Sequence, residues 1–290
     1  MPNSPRPKRR PISLLPNILT LANAGLGLLA ISKAIDALAQ QANQAQFESL
    51  LEASCWMVLA AGVFDALDGK VARLTNSFSD LGAQLDSLAD ALTFGIAPAI
   101  IGKVLLEHEQ LAHPRIHFFA AAAFVLMAIL RLARFNVETE EDDDHSKFLG
   151  LPSPAAAGTL VATVLMFLSL GGGIETAGGT PTPLGRGLEI LPAAWRSAMT
   201  QYLLLPTVLV LMPFLGLLMV SRVTYSHLFT KLAQSQDRRI LIPIVFSFLA
   251  LYMAPVLFLF AFGFFYVGIG LWKSRPGRTK QESANARDAA

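Results

Sequence analysis

The sequence has few charged residues and a single cysteine, and both shortages narrow the class of protein. Only 15% of the 290 residues are charged, whereas 53% are hydrophobic and the mean hydropathy is positive. Soluble domains carry about 25% charged residues, so this composition excludes an ordinary soluble enzyme. Cys55 has no second cysteine with which to form a disulfide, and we expect it to be a small packing residue.

Long apolar runs predict an all-α, polytopic transmembrane helix bundle of about eight spans, because about 20 helical residues cross the hydrocarbon core. The last run contains Pro243 and Pro255. These prolines predict two short helices with a turn near residues 253–255, and one long kinked helix is the alternative. The predicted spans are 14–36, 48–72, 82–106, 116–136, 154–171, 201–221, 240–253 and 255–272.

The first apolar run permits two interpretations. Basic residues at 8–10 precede it and residues 37–39 resemble a cleavage site, which is typical of a secretory signal peptide. The run over 12–35 is too long for a signal core, however, and it contains polar residues such as Asn17 and Thr20. We therefore interpret it as a retained first span.

The positions of the 23 lysines and arginines predict that both termini are cytoplasmic. With eight spans, most of these residues fall on the side of the termini, as the positive-inside rule requires. We predict four parts: a basic juxtamembrane segment (1–13), a six-helix catalytic core (14–221), two additional membrane helices (222–272) and a cytoplasmic tail (273–290). The basic segment is expected to lie against anionic lipid head groups.

Four aspartates between apolar stretches are the most informative feature of the chain. Asp65 and Asp68 are three residues apart and Asp86 and Asp90 are four apart, so each pair projects from one face of a helix. Carboxylates within a bilayer are costly and indicate a functional site. Oxygen ligands at this density suit Mg²⁺, Mn²⁺ or Ca²⁺. We expect Asp65, Asp68 and Asp86 to be metal ligands, and Asp90 to be a ligand or a base.

Other residues near the aspartates suit a phosphate-bearing nucleotide. Gly69 would let a nucleotide approach the backbone, although helix packing also explains it and Gly82. Arg73, one turn beyond Gly69, suits a phosphate group or an anchoring role at the membrane interface. For Asn17 and Thr20, a nucleotide contact and an interhelical hydrogen bond are both open explanations.

The aspartates belong to the pattern D-x2-D-G-x2-A-R-x8-9-G-x3-D-x3-D, and every fixed position is matched between Asp65 and Asp90. The chain therefore resembles the CDP-alcohol phosphotransferases. The resemblance implies that the pattern binds a CDP-linked donor and two divalent ions, Mg²⁺ or Mn²⁺. It also implies that Asp90 activates an acceptor hydroxyl, that CMP leaves, and that the protein is a homodimer.

Two further segments, residues 131–136 and 148–156, resemble the branch of that family whose donor is CDP-diacylglycerol and whose acceptor is L-serine. Residues 15–20 also fit that branch, and related branches share them. Arg131 and Arg134 suit a lipid phosphate or the serine carboxylate, and they also suit simple topology anchors. A sibling enzyme that uses glycerol 3-phosphate, inositol phosphate or choline is the alternative. We expect membrane lipids and no nucleic acid as partners.

The predicted topology places the aspartates at the cytoplasmic face of a multi-pass protein, which in a bacterium would lie in the inner membrane. Soluble substrates and nucleotides are available there. A divalent-cation transporter is a different class with intramembrane acids, but its acids are expected near the middle of the membrane on broken helices. The predicted position of the aspartates near one face of the membrane favours an enzyme over a transporter.

Overall fold

The computed structural model describes residues 14–74, 80–141, 150–171, 192–223 and 241–273. Within these ranges the chain forms helices joined by short links and has no strand, so the predicted all-α fold is confirmed. The predicted N-terminal segment and nearly all of the predicted tail lie outside the described residues. The helices are α1 (Leu14–Ala39), α2 (Gln44–Leu74), α3 (Asp80–Asp90), α4 (Ala97–His108), α5 (Pro114–Glu141), α6 (Ser153–Gly171), α7 (Ala193–Ala198), α8 (Leu205–Val220), α9 (Leu241–Met253) and α10 (Pro255–Lys273).

Two pairs of helices are joined without a loop. A π-helical turn over Ala91–Ile96 connects α3 to α4, and another over Met199–Leu204 connects α7 to α8. Each set therefore forms one long helical rod. By contrast, α1 and α2 are separated by a tight link in which the Asn43 side chain accepts a hydrogen bond from the Gln46 N–H at 3.3 Å. This contact caps the N-terminus of α2.

Seven helical stretches in the described ranges are long and apolar enough to cross a membrane. This number is close to the eight predicted, and the chain is a multi-pass membrane protein. The difference comes from α9, which has 13 residues and is shorter than the hydrocarbon core requires. Residues 224–240, which precede α9, lie outside the described part of the chain. An eighth span therefore stays a prediction.

The structure confirms a break near residues 253–255, where Ala254 alone separates α9 from α10. The Ala254 N–H nevertheless donates to the Ala250 carbonyl at 2.9 Å, and the Phe258 N–H donates to the Ala254 carbonyl at 3.0 Å. Helical hydrogen bonding therefore continues on both sides of Pro255, which has no N–H of its own to donate. Of the two alternatives, the structure agrees with two helices that meet at a break beside Pro255.

Helix α6 is the centre of the bundle. It contacts α2, α4, α8 and α10, and nearly every residue from Ala156 to Leu170 is buried. A helix that is apolar on all sides is expected in such a position. Around it, α1 packs along α2 and also contacts α3, while α5 packs on α8. This arrangement places the end of α2 beside α1 and α3, where the predicted site lies.

Candidate metal centre and adjoining cavity

Three of the predicted aspartates meet at one point. Asp65 and Asp68 from α2 and Asp86 from α3 each offer a carboxylate oxygen, and these oxygens lie within 4.8 Å of one another. Asp68 is buried, and Asp65 and Asp86 are half-buried. The spacing on α2 explains part of this arrangement because residues three apart share a helical face. The structure thus confirms that acids from two helices converge, and three clustered hard oxygen ligands suit a divalent cation.

Asp90 lies beside this cluster but is not one of its three members. Its carboxyl group lies near that of Asp65, so the two charges repel each other unless one group is protonated or a cation lies between them. The Oδ1 atom of Asp90 is buried and has no hydrogen-bond partner within the described part of the chain. Asp90 therefore lies beside one member of the cluster, and one of its oxygens has no partner among the described residues.

Thr20 on α1 contacts the cluster through Asp68. Its hydroxyl lies 3.0 Å from Asp68 Oδ2 and 3.1 Å from the Pro16 carbonyl oxygen. The threonine can donate to Asp68 and so fix the orientation of that carboxylate. Of the two explanations of Thr20, the structure shows the interhelical hydrogen bond, and a nucleotide contact by Thr20 stays a prediction.

The other residues predicted to bind the donor are near the aspartates in the fold. Gly69 follows Asp68 on α2, and Gly82 is one turn before Asp86 on α3; both are half-buried. Asn17 is half-buried on α1, one turn before Thr20. The side chain of Arg73 lies outside the described part of the structure. Contacts of these four residues with a nucleotide remain predictions.

A cavity of about 510 Å³ opens next to the cluster, between α3 and α5. Asp86 and Asp90 from α3 line it together with Arg131 and Asn136 from α5. Its volume is in the range of small-molecule pockets. The cavity is lined by Ala83, Gln84, Asp86, Ser87, Asp90, Arg131, Leu132, Phe135, Asn136 and Pro154.

Arg131 is the basic residue of this cavity. Its Nη1 donates to the Ser153 hydroxyl at 2.6 Å, at the first residue of α6, and its charge acts on both Asp90 and Asp65. The Nε atom is buried and has no partner in the described ranges. Arg134, one turn further along α5, is half-buried and is not among the residues that line the cavity. The structure therefore brings Arg131 to the acids but does not bring Arg134 to the same cavity.

The segment after α5 has a structural role that its small residues alone did not reveal. Gly150 has φ +87°, and a Cβ atom there would collide with the Met219 carbonyl. The Gly150 N–H donates to the Val223 carbonyl at 2.9 Å, and the Leu151 N–H donates to the Leu218 carbonyl at 3.0 Å. The turn is therefore fixed against the end of α8, and this fixes Ser153 opposite Arg131.

Ser87 and Asn136 also line the cavity, and the sequence analysis gave neither a role of its own, although Asn136 ends the segment 131–136. The Asn136 Nδ2 donates to the Ser87 hydroxyl oxygen at 2.9 Å, which joins α3 to α5 within the wall of the cavity. A signal was present, since Ala83, Ser87 and Asp90 recur at the spacing of one helical face. The pairing with Asn136 depends on which helices are neighbours, and helical periodicity does not supply that information.

A carboxylate cluster beside a cavity that holds several polar side chains, in a membrane helix bundle, is a class of site suited to a divalent cation and a polar ligand. A family profile described as "CDP-alcohol phosphatidyltransferase" matches residues 13–223. The chain belongs to the CDP-alcohol phosphatidyltransferase family. The matched region contains the cluster and the cavity, and α9 and α10 lie beyond it.

Individual proteins also resemble the chain over part of its length. The chain is similar to the CDP-diacylglycerol–serine O-phosphatidyltransferase of Helicobacter pylori, with 39% identity over 156 residues, 54% of this chain and 59% of that protein. The Mycobacterium tuberculosis protein of the same name is 30% identical over 171 residues, 58% of this chain and 54% of the relative. An archaetidylserine synthase from Methanothermobacter thermautotrophicus is 38% identical over 148 residues, 50% and 55% of the two chains. The chain thus spans less than two thirds of the length of these relatives.

Proposed function

We propose that this protein transfers the phosphatidyl group of CDP-diacylglycerol to the hydroxyl of L-serine, giving phosphatidylserine and CMP. The observation that carries the proposal is the position of Arg131 across one cavity from Asp86 and Asp90. One member of the aspartate cluster, the Asp90 carboxylate and a guanidinium thus line the same cavity. The names of the relatives support serine as the acceptor and CDP-diacylglycerol as the donor.

Asp65, Asp68 and Asp86 would hold Mg²⁺ or Mn²⁺, because their oxygens are hard ligands that already converge. The resemblance to the family supports two ions, with Asp90 as a further ligand in that case. A bound divalent ion neutralises the charge of a pyrophosphate and stabilises the leaving phosphate. Thr20 would keep Asp68 oriented for this role, as outer partners of metal ligands do.

Asp90 is proposed as the base. An alcohol has a pKa far above 7, so a carboxylate must take its proton as the oxygen attacks. The serine oxygen forms a bond to the phosphorus that carries diacylglycerol, the bond from that phosphorus to the bridging oxygen breaks, and CMP leaves with the electron pair. The Oδ1 atom of Asp90, which has no partner among the described residues, supports this assignment.

Arg131 is proposed to bind the serine carboxylate or a lipid phosphate. A guanidinium offers five N–H donors in a plane and pairs well with either anion. Ser87 and Asn136 offer further polar groups in the same cavity wall. Arg134 stays a candidate for a phosphate contact outside this cavity, and Asn17, Gly69, Arg73 and Gly82 stay candidates for donor binding.

The proposal includes a place in the cell and an assembly. The concentration of basic residues on the side of the termini supports a site open to the cytoplasm, in the inner membrane of a bacterium. The homodimer rests on the family resemblance alone. Light scattering of the protein in detergent, corrected for bound detergent, would give twice the 31.2 kDa chain mass for a dimer.

An assay of acceptors tests the function. The purified full chain is given CDP-diacylglycerol and Mn²⁺ or Mg²⁺, and then serine, glycerol 3-phosphate, inositol phosphate or choline in separate reactions. CMP release and the lipid product are measured in each. The proposal expects CMP and phosphatidylserine with serine alone. A lipid product formed only with another acceptor would assign the chain to a sibling enzyme.

A further inference from the structure

The two helices that contribute most of the cavity lining, α3 and α5, pack little on each other in the described part of the chain. Helix α3 packs on α1, whereas α5 packs mainly on α8. The π-helical turn that follows α3 does contact α5: a Cβ atom at Gly95 would lie 3.4 Å from the Cβ of Ala128. This close approach joins the two sides of the cavity at one end. Elsewhere, the separation of α3 and α5 depends on side chains that reach across.

Ser87 and Asn136 reach across in this way. The Asn136 Nδ2 donates to Ser87 Oγ at 2.9 Å, and both residues are half-buried and line the cavity. The Ser87 hydroxyl has two acceptors at 3.2 Å, the Ala83 carbonyl oxygen of its own helix and the Asn136 Oδ1. With either acceptor, the Asn136 amide stays bonded to the Ser87 hydroxyl. We call this Ser87–Asn136 contact the α3–α5 brace.

The two proposed acceptor-binding groups lie between the brace and the π-helical turn. On one side, Asp90 follows Ser87 by three residues, which is about 4.5 Å along the helix axis. On the other side, Arg131 lies between Ala128 and Asn136 on α5. The space between the two ends is comparable with the length of a three-carbon acceptor. A change in the brace would therefore alter the distance across which an acceptor is held.

We propose that the α3–α5 brace is a specificity-determining contact, which sets the width of the acceptor site between Asp90 and Arg131 and so limits it to a short acceptor. This inference rests on the proposed binding of the acceptor in this cavity. The packing of Gly95 on Ala128 fixes one end of the site, and the brace fixes the other. Without the brace, α3 and α5 can separate and admit a longer acceptor.

The test is a competition between L-serine and L-homoserine, which is longer by one methylene, in one reaction with CDP-diacylglycerol and Mn²⁺. The ratio of the two lipid products, measured by mass spectrometry, does not depend on the amount of active protein. The wild type should favour serine by about 10-fold or more, since one methylene typically gives this discrimination in a close-fitting site. Ser87→Ala and Asn136→Ala should each lower the ratio about 3- to 10-fold, the effect of losing one ordinary hydrogen bond.

Three further variants separate the brace from the volume of the side chains. The double variant Ser87→Ala/Asn136→Ala should have the ratio of either single variant, because each substitution removes the same bond. Ser87→Thr keeps the hydroxyl and should keep the wild-type ratio. Ser197→Ala is the matched control, because the exposed Ser197 hydroxyl donates to the Ala194 carbonyl of its own helix at 3.1 Å. Its ratio should equal that of the wild type.

The KM values distinguish a change of the acceptor site from a general loss of structure. The KM for serine should rise in the two alanine variants, whereas the KM for CDP-diacylglycerol should not, because most residues predicted to bind the donor lie on α1 and α2. Thermal unfolding in detergent shows that each variant is folded. An unchanged product ratio in folded Ser87→Ala and Asn136→Ala variants would overturn the inference. So would effects that add in the double variant, or a ratio for Ser87→Thr as low as that for Ser87→Ala.

Failure of this inference is distinguishable from failure of the proposed function. The wild-type protein alone shows which acceptor is used. If that acceptor is not serine, the proposed function fails. The competition is then run with the acceptor that the protein does use and its homologue longer by one methylene, and the same outcomes decide whether the brace sets the width of the site.

Discussion

The hydroxyl of Thr20 lies 3.0 Å from Oδ2 of Asp68, and this contact links the first helix to the carboxylate cluster. Thr20 and Asp68 are both buried, and they are 48 residues apart in the sequence. The pair is therefore a tertiary contact that orients one carboxylate of the cluster, which we propose to bind metal. Loss of such outer partners typically lowers metal affinity or activity by about 10- to 100-fold.

Thr20→Val should accordingly raise the Mn²⁺ concentration needed for half-maximal CMP release by about 10-fold or more. Valine keeps the shape of the side chain and removes the hydroxyl. Thr207→Val is the matched control, because the Thr207 hydroxyl donates to the Leu203 carbonyl one turn earlier, at 2.6 Å, and not to the cluster. A metal requirement that is the same in both variants would show that Thr20 does not support the centre.

Replacing a member of the cluster should have a larger effect. Asp65→Asn, Asp68→Asn and Asp86→Asn should each abolish turnover and weaken Mn²⁺ binding, because each removes one ligand charge from a site of three converging carboxylates. Asp36→Asn is the control, since Asp36 is exposed and pairs with Lys33 at 3.7 Å. Near-normal CMP release at saturating metal in any of the three variants would remove that residue from the ligand set.

Asp90→Asn should separate binding from chemistry. If Asp90 is chiefly the base, CDP-diacylglycerol and metal should still bind while turnover falls by about 10²- to 10⁴-fold. Binding is followed by equilibrium dialysis with Mn²⁺ and by retention of the donor on the detergent-solubilised protein. If the variant instead loses donor and metal binding, and this loss of binding accounts for the whole fall in turnover, Asp90 is a metal ligand and not the base.

Substitutions of Arg131 and of Arg134 should differ in their effect on the KM for serine. Arg131→Ala should raise the KM for serine about 10- to 100-fold, the effect of losing a charge-assisted hydrogen bond of roughly 1.5–3 kcal/mol. Arg134→Ala should change the serine KM much less, because Arg134 does not line the cavity. Steady-state kinetics with each substrate varied in turn gives both values. Equal effects on serine and CDP-diacylglycerol in Arg131→Ala would assign this arginine to a shared phosphate site.

Helical periodicity accounts for what could be predicted about the acids. Residues three and four apart share a face, so the pairs on α2 and α3 followed from their spacing, and the resemblance of the whole pattern placed them at one centre. Arg131 was a candidate because it lies in the segment 131–136 at the end of a predicted span. These features are local in the sequence or carried by a motif, and they needed no knowledge of helix packing.

Contacts between distant helices could not be predicted in the same way. Thr20 had two open explanations, and only the position of α1 against α2 distinguishes the hydrogen bond to Asp68. The Ser87–Asn136 pair requires α3 and α5 to be neighbours. The break beside Pro255, by contrast, could be predicted, because a proline has no N–H to donate and disfavours a helical conformation in the residue before it.

The central claim is that the site joins serine to the phosphatidyl group with release of CMP. The most direct measurement is the ratio of the two products from isotopically labelled L-serine and CDP-diacylglycerol, by mass spectrometry, before and after removal of divalent metal. The account predicts one labelled phosphatidylserine for each CMP, and neither product after chelation until Mn²⁺ or Mg²⁺ is restored. CMP formed without labelled lipid, or labelled lipid formed equally well without metal, would contradict it.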